Sequence, residues 1–240
     1  MRIFTKLHSL LPKKDAILFI VPIILIIIIY LWHFDDLIIG SELSNVPINL
    51  NILLKNSHYV WNDGLFGGFF SPLYLVDVFP HNVFYLVLHF LGIKINASIR
   101  FYFIFLHLLT YLSAFFLAMK VFKRNILASS LTAFLYSFNY YYFSQLDHQF
   151  QLLNSAFAPI LLLFVIRMFE KPRFREAVLL NIIFLFIFLS SVHSIPSLII
   201  TVFPAAGLLI YLIVKEKDQK LSKIRLLLKN LVQAAILFIS

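Results

Sequence analysis

The sequence predicts an all-α polytopic membrane protein, with six to seven transmembrane helices and a long external first loop. Hydrophobic residues make up 61% of the 240 residues and charged residues only 13%, whereas soluble domains carry roughly 25% charged residues. Long apolar runs alternate with short basic clusters, as expected where helices cross a bilayer and basic residues collect on the cytoplasmic side. We therefore treat residues 1–240 as a single transmembrane domain.

The first predicted span covers residues 16–32. A helix of that length extends about 25 Å, which is enough for a thin bilayer core. A basic segment (residues 2–14) precedes it, so the positive-inside rule predicts a cytoplasmic N-terminus and a multi-pass protein of the cell membrane. The run is longer than the core of a secretory signal and ends in Trp32, which indicates a retained anchor.

Five further spans follow from the later apolar runs. They are residues 101–117, 126–143, 152–168, 177–189 and 198–214. A seventh run begins near Leu226, but about ten apolar residues are too few to cross a bilayer core before the sequence stops at Ser240. We therefore expect the chain to be the N-terminal part of a longer protein.

Residues 34–100 form the predicted external loop. Of the twenty Lys and Arg residues, only Lys55, Lys94 and Arg100 lie in it. The mixed polar and apolar stretch 44–61 predicts a helix in the headgroup plane. Stretch 76–93 is apolar enough to cross, but a crossing there would move the later basic clusters to the outside. Charge therefore favours an interfacial or re-entrant helix for this stretch.

The formal net charge of +9 does not indicate nucleic-acid binding, because the basic residues separate apolar segments instead of forming a face. Membrane lipids with anionic headgroups are the partners that this pattern favours. The chain has no cysteine, which excludes disulfides and Cys-ligated metals.

Polar residues collect at the predicted external ends of the spans. Asp35 and Asp36 follow the first span directly, where partial desolvation favours a general base; ordinary solvated loop acids are the alternative. The candidate substrate-binding residues at this face are Glu42, Lys55, Asp63, Arg100, His148, Gln149 and His193. Asp147 and His148 together with the first-loop acids are candidates for a divalent metal ion, and a plain polar turn is the alternative. His107 is either a functional residue within a span or a side chain that reaches the interface.

This order of features resembles the GT-C superfamily of membrane glycosyltransferases, and within it the YfhO-like membrane proteins. The resemblance rests on the acidic pair after the first span, on the pattern at residues 61–68, on Ser71-Pro72, and on residues 147–149 followed by residues 158–161. It implies transfer of a sugar from a polyprenyl-phosphate-linked donor to an external acceptor, with Asp35 or Asp36 as the catalytic residue. A divalent metal ion as cofactor stays open. Members of that family are larger than this chain.

Two other classes remain open from the sequence. A transporter or lipid flippase places its polar sites near the bilayer midplane, and the predicted spans carry no acid there. A non-catalytic membrane protein remnant is the other alternative.

Overall fold

The structure is a computed structural model that describes residues 13–32, 61–62, 69–70, 81–144, 149–171, 173–191, 195–215 and 229–230. These residues are helical apart from one antiparallel pair of two-residue strands, in which Trp61 lies opposite Phe70. The elements in chain order are α1 (Lys13–Trp32), β1 (Trp61–Asn62), β2 (Phe69–Phe70), α2 (His81–Phe90), α3 (Ile95–Val121), α4 (Ile126–Ser137), α5 (Tyr140–Ser144), α6 (Gln149–Glu170), α7 (Phe174–Ser191) and α8 (Ile195–Lys215). The predicted all-α class is therefore confirmed.

Among the residues that the structure describes, two helices are long and apolar enough to cross a membrane. The qualifying segments are Ala97–Val121 in α3, with 25 residues, and Gln151–Glu170 in α6, with 20 residues. At 1.5 Å per residue they extend about 38 Å and 30 Å, against a hydrocarbon core of about 30 Å. Shorter apolar segments lie in other helices of the described ranges, namely Ile17–Leu31, Ile126–Ser137 and Thr201–Leu212.

These two long helices organise the packing. Helix α3 contacts α1, α2, α4 and α6, and α6 in turn contacts α7 and α8. Aromatic rings fill the space around α3: the rings of Phe19 and Phe115 lie 4.7 Å apart, and those of Tyr85 and Tyr102 lie 5.3 Å apart. Such aromatic pairs stabilise the core beyond the contribution of the apolar area that they bury.

In helix α4 the distribution of polar and apolar residues is the reverse of that in a surface helix of a soluble protein. Leu127, Leu131 and Leu135 follow one another at four-residue spacing and are each more than half exposed. Ser129 and Ser137 are buried on the opposite side. This helix has small and hydroxyl-bearing residues inside the bundle and large apolar residues outside. That pattern is typical of a helix that faces lipid.

Two boundaries differ from the sequence prediction, those of helix α3 and of the span 126–143. Helix α3 begins at Ile95, so Arg100 lies within a helix and not in the loop. Helix α2, within the stretch 76–93 predicted as interfacial or re-entrant, has ten residues, about 15 Å, which is too short to cross alone. The predicted span 126–143 is broken into α4 and α5, because the backbone leaves the helix at residues 138–139.

Candidate functional site

The break between α4 and α5 is held by one side chain. Asn139 donates from Nδ2 to the carbonyl oxygen of Tyr136 at 2.6 Å, and its Oδ1 accepts from the backbone N–H of Tyr142 at 2.8 Å. The first bond satisfies a carbonyl at the end of α4, and the second is an N-cap of α5. A single amide therefore ends one helix and starts the next.

The break lies deep in the bundle. Phe138, the first residue after α4, has its ring 4.8 Å from the imidazole of His107, and His107 stands near the middle of the 27-residue helix α3. Irregular backbone at membrane depth is tolerated where it is buried in protein or lines a cavity. The position of the break therefore points to a cavity beside it.

A second irregularity lies opposite the break, in α6. Pro159 has no N–H, so the carbonyl of Ser155, four residues earlier, lacks its helical hydrogen bond. The hydroxyl of Tyr136 on α4 donates to that carbonyl at 2.9 Å. A tertiary hydrogen bond therefore replaces the one that the proline removes, and it ties α4 to α6 at this level.

A pocket of about 450 Å³ lies between these elements and α8. Its volume is within the range of small-molecule sites. Its lining residues are Tyr136, Asn139, Tyr142, Gln151, Asn154, Ser155, Ala158, Leu162, Thr201 and Pro204. Two of its walls carry a proline within a helix, Pro159 in α6 near the pocket and Pro204 in α8 at the pocket itself. We call this cavity the polar pocket.

The polar pocket is lined by neutral groups. The described lining includes amides (Asn139, Gln151 and Asn154) and hydroxyls, and it includes no charged side chain. Most of the exposed lining surface is apolar, and the amides and hydroxyls form the smaller part of it. Because amides and hydroxyls offer both donors and acceptors, the pocket suits a neutral ligand with a few hydroxyl groups and a largely apolar surface. In the part of the chain that the structure describes, no group of three His, Asp or Glu side chains is placed to hold a metal ion.

A buried His–Tyr cluster adjoins the polar pocket. His107 is fully buried, and its Nδ1 lies 3.2 Å from the hydroxyl oxygen of Tyr30 on α1. The ring of Tyr142 lies 4.4 Å from the imidazole, and Tyr142 also lines the pocket. His107 Nε2 and the Tyr142 hydroxyl have no hydrogen bond of good geometry to any described residue.

This burial overturns one reading of His107. The sequence left open that the imidazole reaches the membrane interface, and the structure instead places it in the interior of the bundle. Its neighbours come from α1 and from the α4–α5 segment. A polar side chain within a candidate span is a functional candidate by default.

Most of the residues predicted for the site lie outside the described ranges, and their roles stay predictions. These are Asp35, Asp36, Glu42, Lys55, Asp63, His148 and His193. Gln149 is the first residue of α6, two positions before the pocket residue Gln151. Arg100 lies in the second turn of α3.

The sequence analysis missed the lining of the polar pocket. Asn139 within the run Ser137-Phe-Asn-Tyr-Tyr-Tyr was one available signal, because an amide there favours a cap over a continuous helix. Pro159 was the other, since a proline inside a span frees a carbonyl. Asn154 and Thr201 gave no comparable signal.

Comparison of this chain with models of known protein families, with curated proteins and with solved structures gives no match. The resemblance to GT-C enzymes therefore stays a prediction from the sequence.

Proposed function

We propose that this chain is a multi-pass membrane protein with six to seven spans and a cytoplasmic N-terminus. The reversed polarity of α4 and the length of α3 and α6 support a bilayer environment. The basic clusters at residues 120–124 and 167–175 meet at one end of the bundle, where Lys120 Nζ lies 2.6 Å from Glu170 Oε2. Their common location is what the positive-inside rule requires of a cytoplasmic face.

Within this class, we infer that the chain is a glycosyltransferase acting on a polyprenyl-phosphate-linked sugar at the external face. The observation that supports this inference is the uncharged lining of the polar pocket, in which a few amides and hydroxyls lie within a mainly apolar surface. A sugar presents hydroxyls that both donate and accept, which such a lining can match.

The candidate acids Asp35 and Asp36 follow α1, the helix that contacts the buried His–Tyr cluster beside the polar pocket. Tyr30 in the last turn of α1 contacts His107, which contacts the pocket residue Tyr142. Asp35 follows the end of α1 by three residues, a reach of at most about 11 Å. Within that limit we propose that Asp35 or Asp36 acts beside a ligand in the polar pocket.

The proposed reaction forms one bond and breaks one. The acceptor hydroxyl oxygen bonds to the anomeric carbon of the sugar, and the bond from that carbon to the polyprenyl phosphate oxygen breaks. Asp35 or Asp36 takes the acceptor proton. If these acids held a divalent ion, that ion would lower the pKa of the acceptor hydroxyl, and a carboxylate would still take the proton. Lys55, Lys94 and Arg100 are the cations proposed to meet the phosphate that leaves.

The test is a transfer assay with a lipid-linked sugar, using the full chain in vesicles. We expect Asp35→Asn or Asp36→Asn to lower the rate by about 10²- to 10⁴-fold, the usual contribution of a general base. Asp77→Asn, another aspartate of the predicted loop, is the matched control and is expected to stay within twofold of the wild-type rate. Full activity in both test variants would remove the catalytic proposal.

A transporter or lipid flippase is the second candidate, favoured by one specific observation. The polar pocket lies where one helix is broken and two others carry an internal proline, which is typical of midplane transport sites. Flux of a labelled lipid-linked sugar across vesicles that contain no acceptor separates the two classes. Flux that His107→Gln abolishes favours the transporter, and transfer to an acceptor without flux favours the enzyme.

A further inference from the structure

A second cavity lies at the other end of the bundle. It has a volume of about 680 Å³ and lies between the C-terminal ends of α3 and α6 and the start of α7. Its basic lining residues are Lys120, Lys123, Arg124, Arg167, Lys171 and Arg173. Two acids, Glu170 and Glu176, also line it. We call this cavity the basic cleft.

The charge of the basic cleft favours an anion. Six basic side chains face two carboxylates, and one of these, Glu170, is already paired with Lys120 at 2.6 Å. Both members of that pair are substantially exposed, at 38% and 49%, so the pair contributes little to stability. A surplus of Lys and Arg around one cavity is a suitable setting for a phosphate group.

The turn between α3 and α4 places two of these cations in an unusual conformation. Lys123 and Arg124 have φ angles of 50° and 71°, and the Arg124 N–H bonds the Met119 carbonyl at 2.8 Å. This is the bond of a Schellman motif, in which Gly is the usual residue at the position that Lys123 occupies.

The preceding turn provides the comparison within this chain. The turn between α2 and α3 has a bond of the same type, which also joins residues five positions apart: the Ile93 N–H bonds the Leu88 carbonyl at 3.0 Å. Here the residue with positive φ is Gly92, at 78°. The α3–α4 turn therefore has cations at left-handed positions where glycine would cost less. Glycine at these two positions removes the charges and keeps the turn.

The inner wall of the basic cleft is apolar. Phe116 and Met119 on α3 and Leu163 on α6 lie below the basic rim. Arg167 belongs to the basic rim, and its guanidinium carbon lies 5.5 Å from the centre of the ring of Phe164, the neighbour of Leu163 on α6. A cavity with a basic rim and an apolar wall matches a lipid, with a charged head and hydrocarbon chains, better than a small hydrophilic anion.

We propose that the basic cleft binds the phosphate headgroup of an anionic phospholipid, with the acyl chains along the wall that contains Phe116 and Leu163. The bound lipid bridges the ends of α3 and α6 and the start of α7. This inference depends on the membrane placement proposed above. It does not depend on glycosyl transfer, so its failure leaves the assay of Asp35 and Asp36 unaffected.

The experiment measures binding of short-chain phosphatidylglycerol, phosphatidylcholine and inorganic phosphate to the full chain in a neutral detergent. The test variant is Lys123→Gly with Arg124→Gly. The control variant is Arg175→Gln with Lys229→Gln, which removes the same charge from two exposed side chains outside the cleft lining. Melting temperature is recorded for every variant.

We expect the wild-type chain to bind phosphatidylglycerol at least tenfold more tightly than phosphatidylcholine. The double glycine variant is expected to bind phosphatidylglycerol roughly thirtyfold more weakly, since each cation near the headgroup contributes about fivefold. Its melting temperature is expected to be unchanged or higher. The control variant is expected to stay within threefold of the wild type.

Equal binding by the wild type and the double glycine variant would overturn the proposal. Displacement of phosphatidylglycerol by an equal concentration of inorganic phosphate would overturn the lipid assignment and leave a site for a free phosphate group. If the double glycine variant fails to fold, Lys171→Gln with Arg173→Gln provides the same test at the other wall, where both side chains are exposed.

Discussion

The two cavities of this molecule differ in chemistry and in depth. The polar pocket lies between helix interiors and is lined by amides and hydroxyls, whereas the basic cleft lies at helix ends and carries six cations. An ionised side chain is costly within a bilayer core, and neutral polar groups cost much less. The difference in charge follows the position of each cavity in the bundle. It is the reason why we propose an uncharged ligand for the polar pocket and a phosphate group for the basic cleft.

The two regions also differ in how their backbone is held. Around the polar pocket, side chains replace helical hydrogen bonds that the backbone cannot make, as Tyr136 and Asn139 do. Around the basic cleft, a backbone-bonded turn holds two cations in left-handed conformations. Changes at the pocket should therefore reduce stability, and changes at the cleft should alter binding more than stability.

The largest effect on stability is expected from Tyr136→Phe. The substitution leaves the Ser155 carbonyl with neither a helical nor a tertiary donor, at a cost of about 1–3 kcal/mol. In a Pro159→Ala background, the restored N–H of residue 159 is available to that carbonyl, and the same change should cost less than half as much. Unfolding of all four variants in mixed micelles gives the double-mutant cycle; equal costs in both backgrounds would refute the role assigned to Tyr136.

Removing the two helix caps compares the regions directly. Asn139→Ala removes the cap of α5 and a donor to Tyr136, whereas Asn125→Ala removes the exposed cap of α4, in which Oδ1 accepts from the Ala128 N–H at 3.0 Å. We expect a loss of about 2 kcal/mol for Asn139 and about 0.5 kcal/mol for Asn125. Unfolding in the same micelles measures both, and a larger loss at Asn125 would reverse the comparison.

A gain in stability is expected at the basic cleft. Lys123→Gly relieves a left-handed lysine and should stabilise the chain by about 0.5–1 kcal/mol. Lys120→Gly, at an ordinary helical position in the last turn of α3, should destabilise it by a similar amount. Melting temperatures in neutral detergent show whether each variant is more or less stable than the wild type. A loss of stability in both variants would contradict the left-handed conformation assigned to Lys123.

The smallest effect on stability is expected from Glu170→Gln. The ion pair with Lys120 is exposed, so its loss should cost less than about 0.5 kcal/mol, and less still at high salt. The same change frees Lys120 and removes a carboxylate from the cleft, so affinity for phosphatidylglycerol should rise about fivefold. Weaker lipid binding after Glu170→Gln would show that the ion pair between Lys120 and Glu170 is needed for binding, contrary to this prediction.

The sequence predicted the all-α class because long apolar runs determine helices wherever they occur. It also predicted that the clusters at residues 120–124 and 167–175 share one face, and the ion pair between Lys120 and Glu170 places them together. That the two clusters enclose a cavity was not predictable, since this depends on how α3 and α6 pack.

The break in the predicted span 126–143 was missed for a different reason. The run is apolar overall in spite of Ser129, Ser130, Thr132, Ser137 and Asn139, so its hydrophobic periodicity does not indicate an interruption. The break depends on the two hydrogen bonds of Asn139 and on the bond from Tyr136 to Ser155, a partner 19 residues away. Tertiary contacts of this kind determine the polar pocket and leave no pattern in one sequence.

The central proposal is that the polar pocket is reached from the external face of a membrane and the basic cleft from the cytoplasmic face. The absence of cysteine from the chain allows a direct test. Ala158→Cys places a thiol in the polar pocket, and Lys171→Cys places one in the basic cleft, thirteen positions further along. In intact cells, a membrane-impermeant thiol reagent should label Ala158→Cys from outside and reach Lys171→Cys only after the membrane is permeabilised. Labelling of both positions from the same side would contradict the account.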